Sequence, residues 1–221
     1  MSTDIWMSET LGYPVYNART APESDERSLT YAKIPAQEVA AVSELTGLGF
    51  RVVDVNVILR RDPGGTEWAP SVVRALPEHH GDLLRIAGTC FDGSRMHLDP
   101  LFPNEESDKV KREWIQSFLA GTRGIELLVA LDDGEPVGFL AVSQDRRHRY
   151  IDLLGVDPYR RRQGVGEALI SSFIAGGDDR HELRVGTQVS NVKSLRLYQR
   201  MGFEIFSSSF VLHLHRGVLA C

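Results

Sequence analysis

The chain has 221 residues, 42% of them hydrophobic and 25% charged, with a formal net charge of -5 at pH 7; it can pack a core and is long for one small domain but short for two full ones. The net acidity excludes nucleic acid as the main partner, and the basic clusters "DRRHR" (145–149) and "YRRRQ" (159–163) suffice only for one small phosphorylated molecule. Two cysteines, Cys90 and Cys221, exclude a disulfide framework, and with neither a basic-then-apolar leader nor an apolar run of spanning length the sequence predicts a cytoplasmic protein without a membrane partner.

In chain order, "YAKIPAQEVAAVSELTGLGFRVVDVNVILR" (31–60) reads as strand, helix, Gly-Phe turn and strand. The Pro-Gly-Gly run in "RRDPGGTEW" (60–68) then marks the clearest break, so we expect a partial N-terminal subdomain over 1–69 and a main domain over 70–221. In the main domain "SVVRAL" (71–76) is strand-like and "PEHHGDLLRIAGTC" (77–90) reads as a helix opened by Pro77. The irregular "FDGSRMHLDPLFPN" (91–104) precedes a helix in which Val110, Trp114, Ile115 and Phe118 recur at helical spacing. "IELLVAL", the turn "DDGE" and "PVGFLAVSQ" form a hairpin over 125–144. The strand "YIDLLGV" (150–156), a glycine loop, a helix to about residue 175, the strand "ELRVGTQ" (182–188) and the helix "NVKSLRLYQRM" (191–201) follow, with "FEIF" (203–206) and "FVLHLH" (210–215) as two closing strands.

The chain echoes itself. Residues 31–60 lie over 184–213 without a gap, at the 153-residue offset that separates Phe50 from Phe203; Gly49 then falls on Gly202, Val39 on Val192 and Leu59 on Leu212. The first half would be a truncated copy of the C-terminal half-domain, or two strand-helix-strand units alike by chance.

The stretch "RRRQGVGEAL" (160–169) sits where a strand hands over to a helix. Glycines there let backbone N–H groups turn inward, and the following helix adds orphan N–H groups and a positive dipole end. That is an anion cradle strengthened by arginines; the plain alternatives are a tight turn and a solvated arginine face.

Element order, loop and tail together resemble the GNAT N-acetyltransferase superfamily over roughly residues 70–221. Its Arg/Gln-x-x-Gly-x-Gly/Ala motif is met by Arg161, Gly164 and Gly166, and its downstream Asn, helical Tyr and Gly-Phe by Asn191, Tyr198, Gly202 and Phe203. The resemblance implies an α/β fold, a mixed central sheet with flanking helices, preceded here by a partial GNAT-like subdomain. The N-terminal addition ending in "LGF", a Ser-Arg loop and a helix carrying Trp-Ile are further similar to dTDP-4-amino-4,6-dideoxygalactose (dTDP-fucosamine) N-acetyltransferases and to relatives acting on other nucleotide-linked amino sugars. The chain departs from them in a longer, more basic glycine loop and in Leu197, which stands where an arginine precedes the tyrosine.

Acetyl-CoA as cosubstrate, without a metal, follows from that resemblance. Arg161, Arg162, Gln163, Gly164, Val165 and Gly166 would hold its pyrophosphate, Leu154, Gly155 and Val156 its pantetheine arm and thioester, and Asn191 would belong to the same site. Tyr198 would be the general acid for the departing thiolate, or else a core tyrosine with a satisfied hydroxyl. Asp54, interrupting an apolar strand, would take the ammonium proton or hold the amine, unless it is an exposed strand carboxylate. In the loop of 14 residues at 91–104, Arg95 would grip an acceptor diphosphate, His97 assist proton transfer and Phe102 stack on a base or sugar. His213 and His215 share a strand face without an evident third ligand, so a solvated or dimer-contact face is expected rather than a metal site; in "EHH" (78–80) helix capping suffices.

The expected activity is acetyl transfer to the amine of a nucleotide-linked amino sugar. A second reading changes the acceptor to a protein N-terminus, polyamine or amino antibiotic, and a third makes the domain a non-catalytic acyl-CoA sensor or scaffold. A homodimer is expected from the resemblance and because a C-terminal strand would otherwise present an open edge.

Overall fold

The computed structural model describes residues 1–20, 22, 24–91 and 93–217; Cys221 lies outside them. The chain opens with the short strand β1 (Ser2–Thr3) and helix α1 (Ile5–Leu11). Asp4 accepts the Met7 N–H at the start of this helix, and Gly12, at φ +80°, ends it. Next come β2 (Val15–Asn17), β3 (Ser28–Pro35), α2 (Val39–Gly47) and β4 (Arg51–Arg61). The main segment continues with β5 (Val72–Arg74), α3 (His80–Ala87), α4 (Arg95–Leu98), α5 (Asn104–Leu119), and the antiparallel run β6 (Glu126–Asp132), β7 (Glu135–Gln144) and β8 (His148–Val156). It closes with α6 (Val165–Ala175), β9 (Glu182–Gln188), α7 (Val192–Arg200) and β10 (Glu204–Arg216).

Two expectations change. The irregular stretch after Cys90 contains the single-turn α4, and "FEIF" with "FVLHLH" is one strand of 13 residues whose register shifts between Ile205 and Ser207 and between Val211 and Leu212. The run Ser207–Ser209 reads as a break only because it lacks apolar side chains.

All the strands join one ten-stranded sheet in the order β1-β2-β3-β10-β4-β9-β8-β7-β6-β5. Break point 69 therefore falls in a connection within a continuous sheet: β4 lies between β9 and β10, and β10 lies between β3 and β4. The 153-residue offset recurs in this register. Pro35 pairs Ser209 while Asn56 pairs Gln188, and Ala32 pairs Leu212 while Leu59 pairs Val185; each second pair is the first shifted by 153 in one strand and back in the other. At the junction Asn56 faces Ser209, its own counterpart, so a local twofold passes between β4 and β10. Both Gly49 and Gly202 take positive φ, +93° and +82°, to make the turn into the following strand, and Phe50 and Phe203 are both buried behind it.

Period-two alternation divides the core into two layers. On one face α2 packs on Ala32, Ile34, Leu212 and Leu214, and α6 and α7 pack on Val57, Leu59, Leu183 and Val185. On the other, α3 and α5 cover Val129, Phe139, Ala141 and Leu153, and α1, α4 and α5 cover Val15 and Leu29. The outermost strands are β1 and β5, whereas β10 is hydrogen-bonded on both sides, so the expected dimer loses its open-edge basis. Among the described residues no helix is long and apolar enough to cross a membrane.

Candidate active site

β8 and β9 run parallel and pair only from His148 with Glu182 to Ile151 with Val185. Beyond that, β8 follows β7 as far as Val156 opposite Gly138, and β9 follows β4 to Gln188 opposite Asn56, so the two strands part and residues 152–156 border a gap. Asp157 donates its N–H to Val137 O at 2.9 Å. Strand alternation then turns the N–H and C=O groups of Leu154 and Val156 into the gap and those of Gly155 toward β7. Gly155 is required for packing: a Cβ there would sit 2.6 Å from Phe139 Cζ and 2.8 Å from Cys90 Sγ.

The loop after β8 reaches α6 through two left-handed residues, Arg162 at φ +64° and Gly164 at φ +81°. Gly164 has nothing within 4 Å of a would-be Cβ, so it serves the backbone turn, whereas a Cβ on Gly166 would lie 3.1 Å from Leu197 Cδ2, so the glycine lets α6 pack on α7. The N–H groups of Val165, Gly166 and Glu167 lie in the first turn of α6, without intrahelical acceptors and at the positive end of its dipole. Two arginines brace the loop rather than fill it: Arg160 pairs with Asp132 at 2.7 Å and Arg161 donates to Cys90 O at 2.9 Å. Asp157 fixes the start by accepting the Tyr159 N–H at 3.0 Å and pairing with Arg85 at 2.8 Å, while Gln163 reaches back to Tyr159 O at 3.4 Å.

Tyr198 lies on α7, 5% exposed and edge-on to Phe203. Its hydroxyl makes no hydrogen bond among the described residues, yet it is not one of the sealed, unpartnered polar atoms, so it is not the satisfied core phenol of the alternative reading. Burial pushes its pKa well above the usual tyrosine range. Asn191 caps α7, accepting the Ser194 N–H at 3.2 Å.

Asp54 is 8% exposed, not the solvated strand carboxylate of the alternative reading. It lies at the end of β4 where the C-terminal ends of β8 and β9 also lie, since Val55 O accepts the N–H of Val189, just past β9. Burial raises its pKa; the hydrogen bond from its neighbour's N–H (Val55, 2.7 Å) and the charge of Arg95 oppose that. Arg95, at the start of α4, stacks 5.2 Å over Tyr31 of β3, so Asp54 and Arg95 are brought into one neighbourhood.

Two other candidates are corrected. Both ring nitrogens of His97 are engaged, with Ser94 Oγ at 2.7 Å and Asp108 Oδ1 at 3.1 Å, so it pins α4 to α5 and presents neither nitrogen to an acceptor amine in this arrangement. Phe102 is 4% exposed within the cluster of Met7, Val15, Leu29, Met96 and Val110, and is a core side chain rather than a stacking platform. His213 and His215 do have a third partner: Asp99 Oδ2 lies 2.6 Å from His213 Nδ1 and 2.8 Å from His215 Nε2. The group is buried, not solvated, and Asp99 joins the two rings, while His213 Nε2 is buried without a partner among the described residues. Burial works to raise the Asp99 pKa, but the two imidazoles outweigh it and hold the carboxyl well below its ordinary range. His79 accepts the Leu76 N–H at 3.2 Å, so the "EHH" capping runs through the histidine rather than Glu78.

One residue escaped the sequence reading. Lys111 of α5 is half-buried, with Nζ 5.0 Å over Phe91 and 5.4 Å over Trp114, and its only sequence signal is its place between Val110 and Trp114 on an apolar helix stripe.

The family model "Acetyltransferase (GNAT) family" matches residues 93–203, half of the chain. Among curated proteins, the chain is 24% identical over 204 residues to the spore coat polysaccharide biosynthesis protein SpsD of Bacillus subtilis, covering 90% of this chain and 70% of that one. It is 25% identical over 190 residues to a dTDP-fucosamine acetyltransferase of Escherichia coli, covering 84% and 81%. It is 35% identical over 111 residues to the L-amino acid N-acetyltransferase AaaT of E. coli, covering 46% and 67%. Among solved structures, a GCN5-related N-acetyltransferase from Sphaerobacter thermophilus superposes with a TM-score of 0.60 at 18% identity over 91% of this chain; the chain spans 64% of that structure, less than two thirds of its length. On the strength of the family match, which contains the parted strands and the glycine loop, the chain belongs to the GNAT acetyltransferase family.

Proposed function

We propose that the chain transfers the acetyl group of acetyl-CoA directly to the amine of a nucleotide-linked amino sugar. The observation that carries the reading is the parting of β8 from β9 beside the first turn of α6. Inward N–H groups from Leu154 and Val156 border the gap, and the N–H groups of residues 164–167 form a cradle for a pyrophosphate at its mouth. The acceptor class is supported by the likeness to SpsD and to the dTDP-fucosamine acetyltransferase.

In this reading acetyl-CoA supplies the thioester. The Val156 N–H polarises its carbonyl oxygen as a one-donor oxyanion site. Asp54, whose pKa burial raises toward a basic role, accepts a proton from the incoming ammonium, directly or through water, and passes it to solvent. The neutral amine attacks the carbonyl carbon, the C–S bond breaks, and the thiolate takes the Tyr198 proton. Tyr198 regains a proton from the nitrogen that has become an amide. A phenol held protonated by burial, with a hydroxyl not committed to the scaffold, suits the acid role.

The test is mass-spectrometric detection of acetyl transfer to dTDP- and UDP-linked amino sugars, free amino sugars, amino acids, polyamines and peptides, with Tyr198→Phe in parallel. We expect one nucleotide-linked amino sugar to gain 42 Da, the approximate mass of an added acetyl group, and Tyr198→Phe to slow turnover about a hundredfold. CoA binding with no acceptor acetylated would sink the reading in favour of a sensor or scaffold.

A further inference from the structure

Lys111 and Arg95 are half-buried cations, and neither makes an ion pair or hydrogen bond among the described residues. By contrast Arg123 pairs with Asp152 at 3.1 Å, Arg149 with Glu126 at 2.6 Å and Arg184 with Glu182 at 2.6 Å, while the buried Nε of Arg216 is likewise without a partner among the described residues. Burying a charge without a partner is costly, and ring faces offset only part of that cost. The carboxylates nearest in influence accept hydrogen bonds from other groups and pair with neither cation. Asp4 accepts from Met7 N and Tyr31 Oη, Asp54 from Val55 N, and Asp152 from Trp114 Nε1 and Arg123 Nε.

Their location follows from shared contacts. Lys111 lies over Phe91 and Trp114; Phe91 follows Cys90, whose sulfur packs on Gly155, and Trp114 bonds to Asp152. The ammonium is thus held beside residues 152–155, the part of β8 that borders the gap. Arg95 lies over Tyr31 on the same sheet face, next to Asp54. The two cations feel each other: burial first, and the charge of Arg95 second, lower the Lys111 pKa to about 8.

We propose that Lys111 and Arg95 together form an oxyanion subsite that holds the diphosphate of the acceptor. This rests on the nucleotide-sugar reading above. Two separate cations match a group carrying two phosphates, whereas a single carboxylate needs only one. Lys111 is then a specificity-determining residue, selecting acceptors whose amine is tethered to a diphosphate.

The test is calorimetric titration of dTDP, which carries the diphosphate and no amine, into the full chain saturated with CoA so that the glycine loop is occupied. We expect saturable binding in wild type, weakened at least tenfold in Lys111→Met and in Arg95→Met, and restored to within about threefold in Lys111→Arg. Melting curves of each variant establish that it is folded. In steady-state kinetics, kcat/KM for the dTDP-linked amino sugar should fall at least tenfold more in Lys111→Met than kcat/KM for the neutral methyl glycoside of the same sugar. Equal dTDP affinity in wild type and Lys111→Met overturns the proposal, as does a kinetic loss confined to carboxylate-bearing amino acids. If dTDP binding needs both cations yet no nucleotide-linked amino sugar is acetylated, the subsite stands and the acceptor reading fails.

Discussion

Gly155→Ala tests whether the end of β8 is shaped by packing. Its added Cβ would lie 2.6 and 2.7 Å from Phe139 ring carbons and 2.8 Å from Cys90 Sγ, against an ordinary contact of about 3.5–4.0 Å, so these groups must give by about 1 Å. Phe139 is fully buried with Phe91 against it, which leaves the ring little room to yield. Overpacking of this kind costs about 1–3 kcal/mol. At about 2–4 °C per kcal/mol for a chain of this size, a loss of about 2 kcal/mol lowers the melting temperature by about 4–8 °C. Scanning calorimetry of wild type, Gly155→Ala, Phe139→Leu and the double variant forms a cycle in which Phe139→Leu should recover part of the alanine penalty. CoA affinity should fall in Gly155→Ala, because the displaced strand end carries the N–H groups of Leu154 and Val156. A Gly155→Ala chain as stable as wild type, with no coupling to Phe139, would refute the reasoning.

Asp99→Ala leaves the buried imidazoles of His213 and His215 without their shared acceptor, and we expect a loss of about 3 kcal/mol in urea titration. Lys111→Met should raise stability by about 1 kcal/mol at pH 7, since it removes a desolvated ammonium. The sign follows from linkage: with the folded pKa lowered to about 8 from 10.5, the unfolded chain binds more protons between those values, so wild-type stability climbs through that window. Melting temperatures should therefore converge by about pH 10; a gain that persists there would count against the charge explanation. Removing residues 1–69 deletes β4 and exposes Val185, Leu183 and Phe203, so residues 70–221 alone should show no cooperative melting transition, checked by circular dichroism and amide exchange.

What the sequence disclosed was local. The hairpin of β6 and β7, the glycine loop and the helix carrying Tyr198 each depend on residues close along the chain, and their periodicity and turn residues were enough. The missed features join distant residues. Asp99 meets His213 across 114 positions, so two histidines on a strand looked unpartnered. Phe102 and His97 sat in a stretch that resembled an open loop, and only the packing of α1, α4 and α5 turned one into core and the other into a pin. Lys111 drew no attention in the sequence because the rings that enclose it, Phe91 and Trp114, come from two separate segments.

The interleaving of β3, β10, β4 and β9 also sets the order in which the chain can fold during synthesis. Residues 28–61 leave the ribosome before residues 182–216, yet β4 has both neighbours, β9 and β10, in that later segment. Until the end of the chain emerges, an eleven-residue strand with Val52, Val53, Val55, Val57, Ile58 and Leu59 stays unpaired on both sides, a template for wrong partners. Loop closure makes such long-range pairings slow to form, so the first third of the chain is the part most exposed to mispairing during synthesis.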